Sequence, residues 1–141
     1  MARTLLGWGI HTITFVDSGT VSYSNPGRQC LFEYQDCVDR SNKAVAAANA
    51  LKRIYPGISS RGINLSIPMP GHPYTSSQPA PPVAAAAAVG AHVVDASEES
   101  VVSVLEGLIR SHDAVFLLTD SRESRWLPTV ICAAEDKVGY T

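Results

Sequence analysis

The chain has 141 residues, 45% of them hydrophobic and 17% charged, a balance that suits one globular domain and excludes disorder, collagen and coiled coil. Eleven Lys and Arg against thirteen Asp and Glu leave a formal charge of −2, so the overall field gives no reason to expect nucleic acid or an anionic membrane as partner. The longest apolar stretch, residues 83–91, is alanine-rich and far short of the roughly 20 residues of a membrane span. A soluble protein with no membrane span is expected.

In chain order, a helix ends at Gly7. Gly7-Trp8-Gly9-Ile10-His11-Thr12 opens like a GxGxxG fingerprint, but it lacks the third glycine and runs from helix into strand, the reverse of a dinucleotide loop. Thr12-Ile13-Thr14-Phe15-Val16 is β-branched and aromatic and stops at the turn signal Asp17-Ser18-Gly19, which predicts a buried strand. Residues 21–39 read as a polar loop. Ser41 or Asn42 then caps a helix from Lys43 to Tyr55, in which Ala44, Ala47, Ala48, Leu51, Ile54 and Tyr55 recur at helical spacing and Pro56-Gly57 ends the pattern.

Alternation at Ile63, Leu65 and Ile67 predicts a second strand over residues 62–67, followed by a Pro- and Gly-rich loop to Pro73. Residues from about 74 to 95 are rich in Ser, Pro and Ala without a period and read as a low-complexity insertion. Ser97 is a cap for a helix carrying Glu98 and Glu99 in its first turn, with Val101, Val102, Leu105, Leu108 and Ile109 on one face. Residues 114–118, Ala-Val-Phe-Leu-Leu, read as a fully buried strand. The last helix is expected from near Trp126 to about Glu135, with Pro128 in its first turn. Alternating strands and helices of these lengths describe parallel βαβ units, hence an α/β fold with a three-layer, Rossmann-like parallel sheet.

Such sheets bind ligands outside the carboxyl ends of their strands, and Asp17 and Asp120 stand at two of those ends. An acidic residue in the place of Asp17 suits ribose hydroxyls; the alternative is an aspartate that forms the Asp-Ser-Gly turn. Asn25, Arg28 and Gln29 follow in the next loop, and Lys43 opens the following helix. Amide donors, a guanidinium, an ammonium and a helix N-terminus make a cradle for a triphosphate, or else a solvated loop with a surface lysine. Asp120 offers the hard oxygen that magnesium accepts beside substrate phosphates, or caps the helix after it.

In order and spacing, Asp17, Ser24-Asn25-Pro26-Gly27-Arg28-Gln29, Lys43 before an alanine-rich helix ending Ile54-Tyr55-Pro56, then Asp120 and Arg125 after a hydrophobic strand resemble the adenylation, or ThiF-like, domain of ubiquitin-activating enzymes and their bacterial sulfur-carrier relatives. Two longer strings, residues 64–73 and 111–128, are similar to the autophagy branch of that family. The resemblance covers about residues 2–73 and 98–135.

It implies an enzyme that uses ATP and Mg²⁺ to adenylate the C-terminal glycine of ubiquitin-like modifiers, then captures the acyl group on its own cysteine as a thioester. By matched motif, Asp17 would hold the ribose, and Asn25, Arg28, Gln29 and Lys43 the phosphates. Asp120 would bind magnesium and position the α-phosphate, and Arg125 would contribute there or anchor its loop by ion pairing. Ubiquitin-like autophagy modifiers and their conjugating enzymes are the implied partners, with a homodimer for the full-length family. A cytoplasmic location is implied, with recruitment to the pre-autophagosomal structure.

A first strand and a glycine-rich phosphate loop precede these residues in the family, and the thioester cysteine and zinc-binding cysteines lie beyond them. The chain is therefore expected to be a partial adenylation domain that carries no catalytic cysteine, folds marginally alone and is inactive by itself. Cys30, Cys37 and Cys132 fit no zinc or redox spacing and are expected to pack as small hydrophobes. The four histidines read as structural or surface residues. A non-catalytic docking or dimerisation fragment and a nicotinamide-dependent oxidoreductase are the competing readings. The second rests on the α/β pattern and Asp17 and lacks the glycine fingerprint.

Overall fold

In the computed structural model, which describes residues 1–72 and 98–141, α1 (Ala2–Gly7) passes into β1 (Thr12–Val16) across a turn at Gly9. Gly9 has φ +82°, a conformation glycine adopts without steric cost. Helix therefore leads to strand, as the sequence expectation for this false fingerprint required. β1 is half-buried along most of its length, less covered than the buried strand expected.

The described residues form two compact units, Met1–Leu65 and a second containing residues 66–72 and 98–141. In the first, β1 pairs in parallel with β2 (Ser59–Ile63), from Thr12 opposite Ser59 to Val16 opposite Ile63. The crossover contains α2 (Tyr34–Val38) and α3 (Lys43–Ile54). Asn42 caps α3, its Oδ1 accepting the Val45 N–H at 3.1 Å, a bond that satisfies one orphan amide of the first turn.

Alanines make the face of α3 flat enough to lie against the strands. Ala44, Ala46, Ala47, Ala48, Ala50 and Leu51 are all buried, and a Cβ on Gly62 of β2 would stand 2.4 Å from the Ala44 carbonyl oxygen. Helix and sheet thus meet backbone to backbone, closer than any larger residue at 62 permits.

In the second unit α4 (Glu98–Arg110) precedes β3 (Ala114–Phe116), α5 (Arg122–Ala134) and β4 (Val138–Tyr140). β3 and β4 pair in parallel, Ala114 opposite Val138 and Phe116 opposite Tyr140. Leu105, Ile109, Ile131 and Cys132 form the core, with Ile67, Val115 and Leu127 packed on it. Arg110 at the end of α4 donates to both carboxylate oxygens of Glu135 at the end of α5, Nε at 2.9 Å and Nη2 at 2.6 Å.

Parallel pairing with helical crossovers agrees with the expected class, and the described strands form two ladders of two strands each. Several boundaries differ. The second strand is Ser59–Ile63 and not 62–67, because β1 stops at Val16 and the last rung joins the Asp17 N–H to the Ile63 carbonyl at 3.2 Å. Leu65 and Ile67 continue the alternation, and among the described residues no strand pairs with them. β3 is shorter than 114–118 and not fully buried: Leu117 is covered but Leu118 is 64% exposed. α5 begins at Arg122, four residues before Trp126, since Ser121 caps it by accepting the Ser124 N–H at 3.3 Å. Pro128 is therefore buried inside the helix and not in its first turn.

The polar loop 21–39 contains α2, closed by reciprocal bonds between Glu33 and Asp36. That helix is too short to register as a period. β4 was not anticipated; three residues give alternation nothing to act on. Cys37 and Cys132 are buried as expected, whereas Cys30 is exposed and is no packing residue. The insertion at about 74–95, its Pro-rich flank, Ser97 and His92 lie outside the described residues.

Candidate functional site

The loop leaving β1 is stitched to the N-terminus of α3. Asp17 Oδ1 accepts the Gly19 N–H at 2.7 Å, a turn that Asp-x-Gly favours because the short carboxylate reaches its own backbone two residues on. Asn42 Nδ2 donates to the Asp17 carbonyl at 2.9 Å and to the Gly19 carbonyl at 3.2 Å. The Lys43 N–H donates to the Gly19 carbonyl at 2.9 Å, and the Val21 N–H to the Ser41 carbonyl at 2.8 Å. Asn42 therefore caps α3 with its oxygen and holds the β1 loop with its nitrogen.

These bonds bring Asp17 and Lys43 together around Gly19. A Cβ added at Gly19 would stand 3.1 Å from Asp17 Oδ1 and 3.6 Å from Lys43 Cδ. Asp17 is exposed and Lys43 half-buried, and among the described residues neither Asp17 Oδ2 nor Lys43 Nζ has a partner. Asp17 thus forms the turn with one oxygen and keeps the other for solvent. The turn-forming reading and the ligand-binding reading are compatible.

Asn25 is 2% exposed. Its Oδ1 accepts the Ser22 N–H at 2.9 Å, and its carbonyl accepts the N–H groups of Arg28 at 3.1 Å and Gln29 at 2.8 Å. Its side-chain oxygen is thereby committed to the loop's own shape. Arg28 is exposed and Gln29 half-buried, and among the described residues their side chains make no hydrogen bond or ion pair. The structure thus brings Asp17 and Lys43 to the same glycine, with no ion pair between them among the described residues, and connects Asn25 to Arg28 and Gln29 through backbone.

Asp120 belongs to the second unit, in the turn between β3 and α5. It is exposed and has no hydrogen-bond or ion-pair partner among the described residues. Ser121, not Asp120, caps α5. Arg125 donates from Nε at 2.8 Å and from Nη2 at 2.6 Å to the Thr119 carbonyl, so it anchors the turn through a backbone oxygen and not by the ion pair expected. The Glu123 carboxyl is held below its ordinary range by its own backbone amide and by Ser121.

A cavity of about 370 Å³ lined by Arg3, Leu6, Gly7, His11, Ile54 and Tyr55 lies at the other, amino-terminal end of β1 and includes none of these residues. Burial raises the Cys132 thiol, which keeps it protonated and poorly nucleophilic. His11 packs its ring on Tyr55 at 5.3 Å, a structural contact as expected.

A family model described as the ThiF family matches residues 1–140. The chain belongs to the ThiF family. It is 50% identical over 139 residues to the ubiquitin-like modifier-activating enzyme ATG7 of Gallus gallus and equally to that of Homo sapiens, covering 98% of this chain and 18% of each of those proteins. Its identity to ATG7 of Yarrowia lipolytica is 52% over 141 residues, 97% of this chain and 20% of that protein. This ThiF-family chain thus spans about a fifth of the length of the curated relatives it matches.

Two contacts in this ThiF-family chain have no local sequence signal. Asn42 was legible as a cap candidate, but its grip on the Asp17 carbonyl is made across 25 residues. Arg125 was visible as a charge; that its acceptor is a carbonyl has no sequence signal.

Proposed function

We propose that this chain is part of an ATP-dependent enzyme that adenylates the C-terminus of ubiquitin-like modifiers for transfer to a thioester cysteine; the modifier-activating part of this reading is supported by the name of its ATG7 relatives. The observation that carries this reading is the placement of Asp17 and Lys43 beside Gly19 at the carboxyl end of a parallel strand, the end at which open α/β sheets bind their ligands.

Asp17, whose Oδ2 has no partner among the described residues, accepts hydrogen bonds from ribose hydroxyls. Lys43 places an ammonium at the N-terminus of α3, where the amides and dipole already favour anionic oxygens. Arg28 and Gln29 donate to the phosphates from a loop whose shape Asn25 fixes, and Asn25 contributes its remaining donor. Asp120 holds Mg²⁺. An unpaired carboxylate fits an ion that takes one or two carboxylates and completes its shell with phosphate and water, and among the described residues no three His, Cys, Asp or Glu side chains gather into a cage. Bound Mg-ATP supplies an electrophilic α-phosphorus and a pyrophosphate leaving group. The cations of this chain oppose the negative charge that builds on the phosphoryl oxygens.

In this reading the fold class is a three-layer Rossmann-like one, the full enzyme is a homodimer, and it acts in the cytoplasm with recruitment to the pre-autophagosomal structure. Binding of Mg-ATP, followed by calorimetry, tests the site. Lys43→Ala and Asp120→Ala are each expected to weaken binding by about tenfold or more, the loss of one charge-assisted contact of about 1.5–3 kcal/mol. Unchanged affinity in both variants removes the assignment. Modifier-dependent pyrophosphate exchange into ATP supports the activity; its absence from the folded full-length protein favours a purely docking role.

A further inference from the structure

We infer that Arg125 is a positioning residue for Asp120, fixing the β3–α5 turn so that the Asp120 carboxylate stands ready for a divalent cation; this rests on the nucleotide reading above. Arg125 lies in the opening of α5, where the helix dipole disfavours a cation. A guanidinium held there needs a compensating interaction, and among the described residues no carboxylate provides it. What it has is a single backbone oxygen: Nε at 2.8 Å and Nη2 at 2.6 Å both donate to the Thr119 carbonyl.

That acceptor lies immediately before Asp120. The Thr119 carbonyl and the Asp120 N–H belong to one planar peptide group, so a two-pronged grip on the oxygen fixes the plane from which the Asp120 side chain departs. On its helix side the turn is held at Ser121, which accepts the Ser124 N–H at 3.3 Å and, at its carbonyl, the Ser124 hydroxyl at 2.9 Å. On its strand side Thr119 Oγ1 is buried without a partner, and among the described residues Asp120 makes no hydrogen bond or ion pair. Arg125 is thus the restraint on the peptide that carries Asp120. Because the acceptor is neutral, the guanidinium charge also remains in the turn.

Lysine cannot reproduce this, since an ammonium is a point donor without the fork that holds two bonds in one plane. The full-length protein is compared with its Arg125→Ala and Arg125→Lys forms. Hydrogen exchange of the segment 117–126, measured by mass spectrometry without nucleotide, is expected to accelerate in both. The Mg²⁺ concentration for half-maximal ATP binding is expected to rise by about tenfold or more in both, as for loss of a group that orients a metal ligand. Affinity for ATP without metal stays within about twofold, and Arg125→Ala adds nothing in an Asp120→Ala background, as for two residues acting through one ligand.

Faster exchange with unaltered Mg²⁺ dependence would show a merely structural anchor and overturn the inference. So would a wild-type Mg²⁺ response in Arg125→Lys, which assigns the effect to charge, or full additivity with Asp120→Ala. If the unsubstituted protein binds no Mg-ATP, the reading of the site fails and this role with it; binding that persists unchanged in both Arg125 variants overturns the inference alone.

Discussion

Gly62 and Asn42 illustrate how single residues set this site. A methyl group on Gly62 would enter the backbone of α3 at Ala44 and Val45, with three atoms inside 2.6 Å, and neither backbone nor strand can yield by a rotamer change. Gly62→Ala is therefore expected to destabilise the first unit by about 2–3 kcal/mol or more, read as a lower urea midpoint with an unchanged m-value. An unaltered midpoint would mean that helix and strand are not packed this closely. The importance of Gly62 was not legible from sequence. Gly62 stood in a predicted strand, but what lies above it depends on register with β1 and on the seat of α3. Asp17 was legible, because Asp-Ser-Gly after a β-branched run is both a turn signal and a strand end, and the structure shows the turn directly after β1. Asn25 was legible as a polar loop residue, but not as the buried acceptor about which Arg28 and Gln29 turn.

At the scale of elements, long periodic segments were read well and short ones were not. α3 appears with its cap and its stop, since twelve residues repeat the apolar spacing three times. α2, β3 and β4 have five, three and three residues, lengths at which capping bonds and neighbouring strands decide the structure. α5 starts earlier than the expected beginning near Trp126 with Pro128 in the first turn, because Ser121 supplies the cap and the helix accepts the proline inside it. The α4–α5 connection yields a pH prediction. Hydrogen bonds from Arg110 hold the Glu135 carboxyl below its ordinary value of 4.5 despite the opposing effect of burial, and Glu123 is lowered too. Both carboxylates are deprotonated more readily in the fold than in the unfolded chain. Their contribution to stability is complete above about pH 4.5 and is lost as pH falls through the folded values. Denaturation profiles of the wild type between pH 6 and 3 should therefore show a decline that Glu135→Gln makes shallower. Identical pH slopes in the two forms would contradict the ion pair.

For the whole molecule, a ligand that binds only the native state adds stability by mass action. Mg-ATP at about a hundred times its dissociation constant is expected to add about 2.7 kcal/mol, seen as a higher melting temperature, while NADH leaves the melt unchanged. Stabilisation by NADH would revive the oxidoreductase reading that the Gly7-Trp8-Gly9 turn argues against. The parallel α/β class and the three longer helices were determined by the sequence itself, because they rest on periodicities of 2.0 and 3.6 carried within short windows, and the family resemblance rested on distinctive strings of residues. Tertiary structure alone decided that Asn42 clasps the Asp17 carbonyl, that Asp17 and Lys43 both lie beside Gly19 and Gly62 against Ala44, and that Arg125 donates to the Thr119 carbonyl. Each of these is a contact whose partner is fixed by chain register and packing geometry, and neither quantity is written in the local pattern of residues.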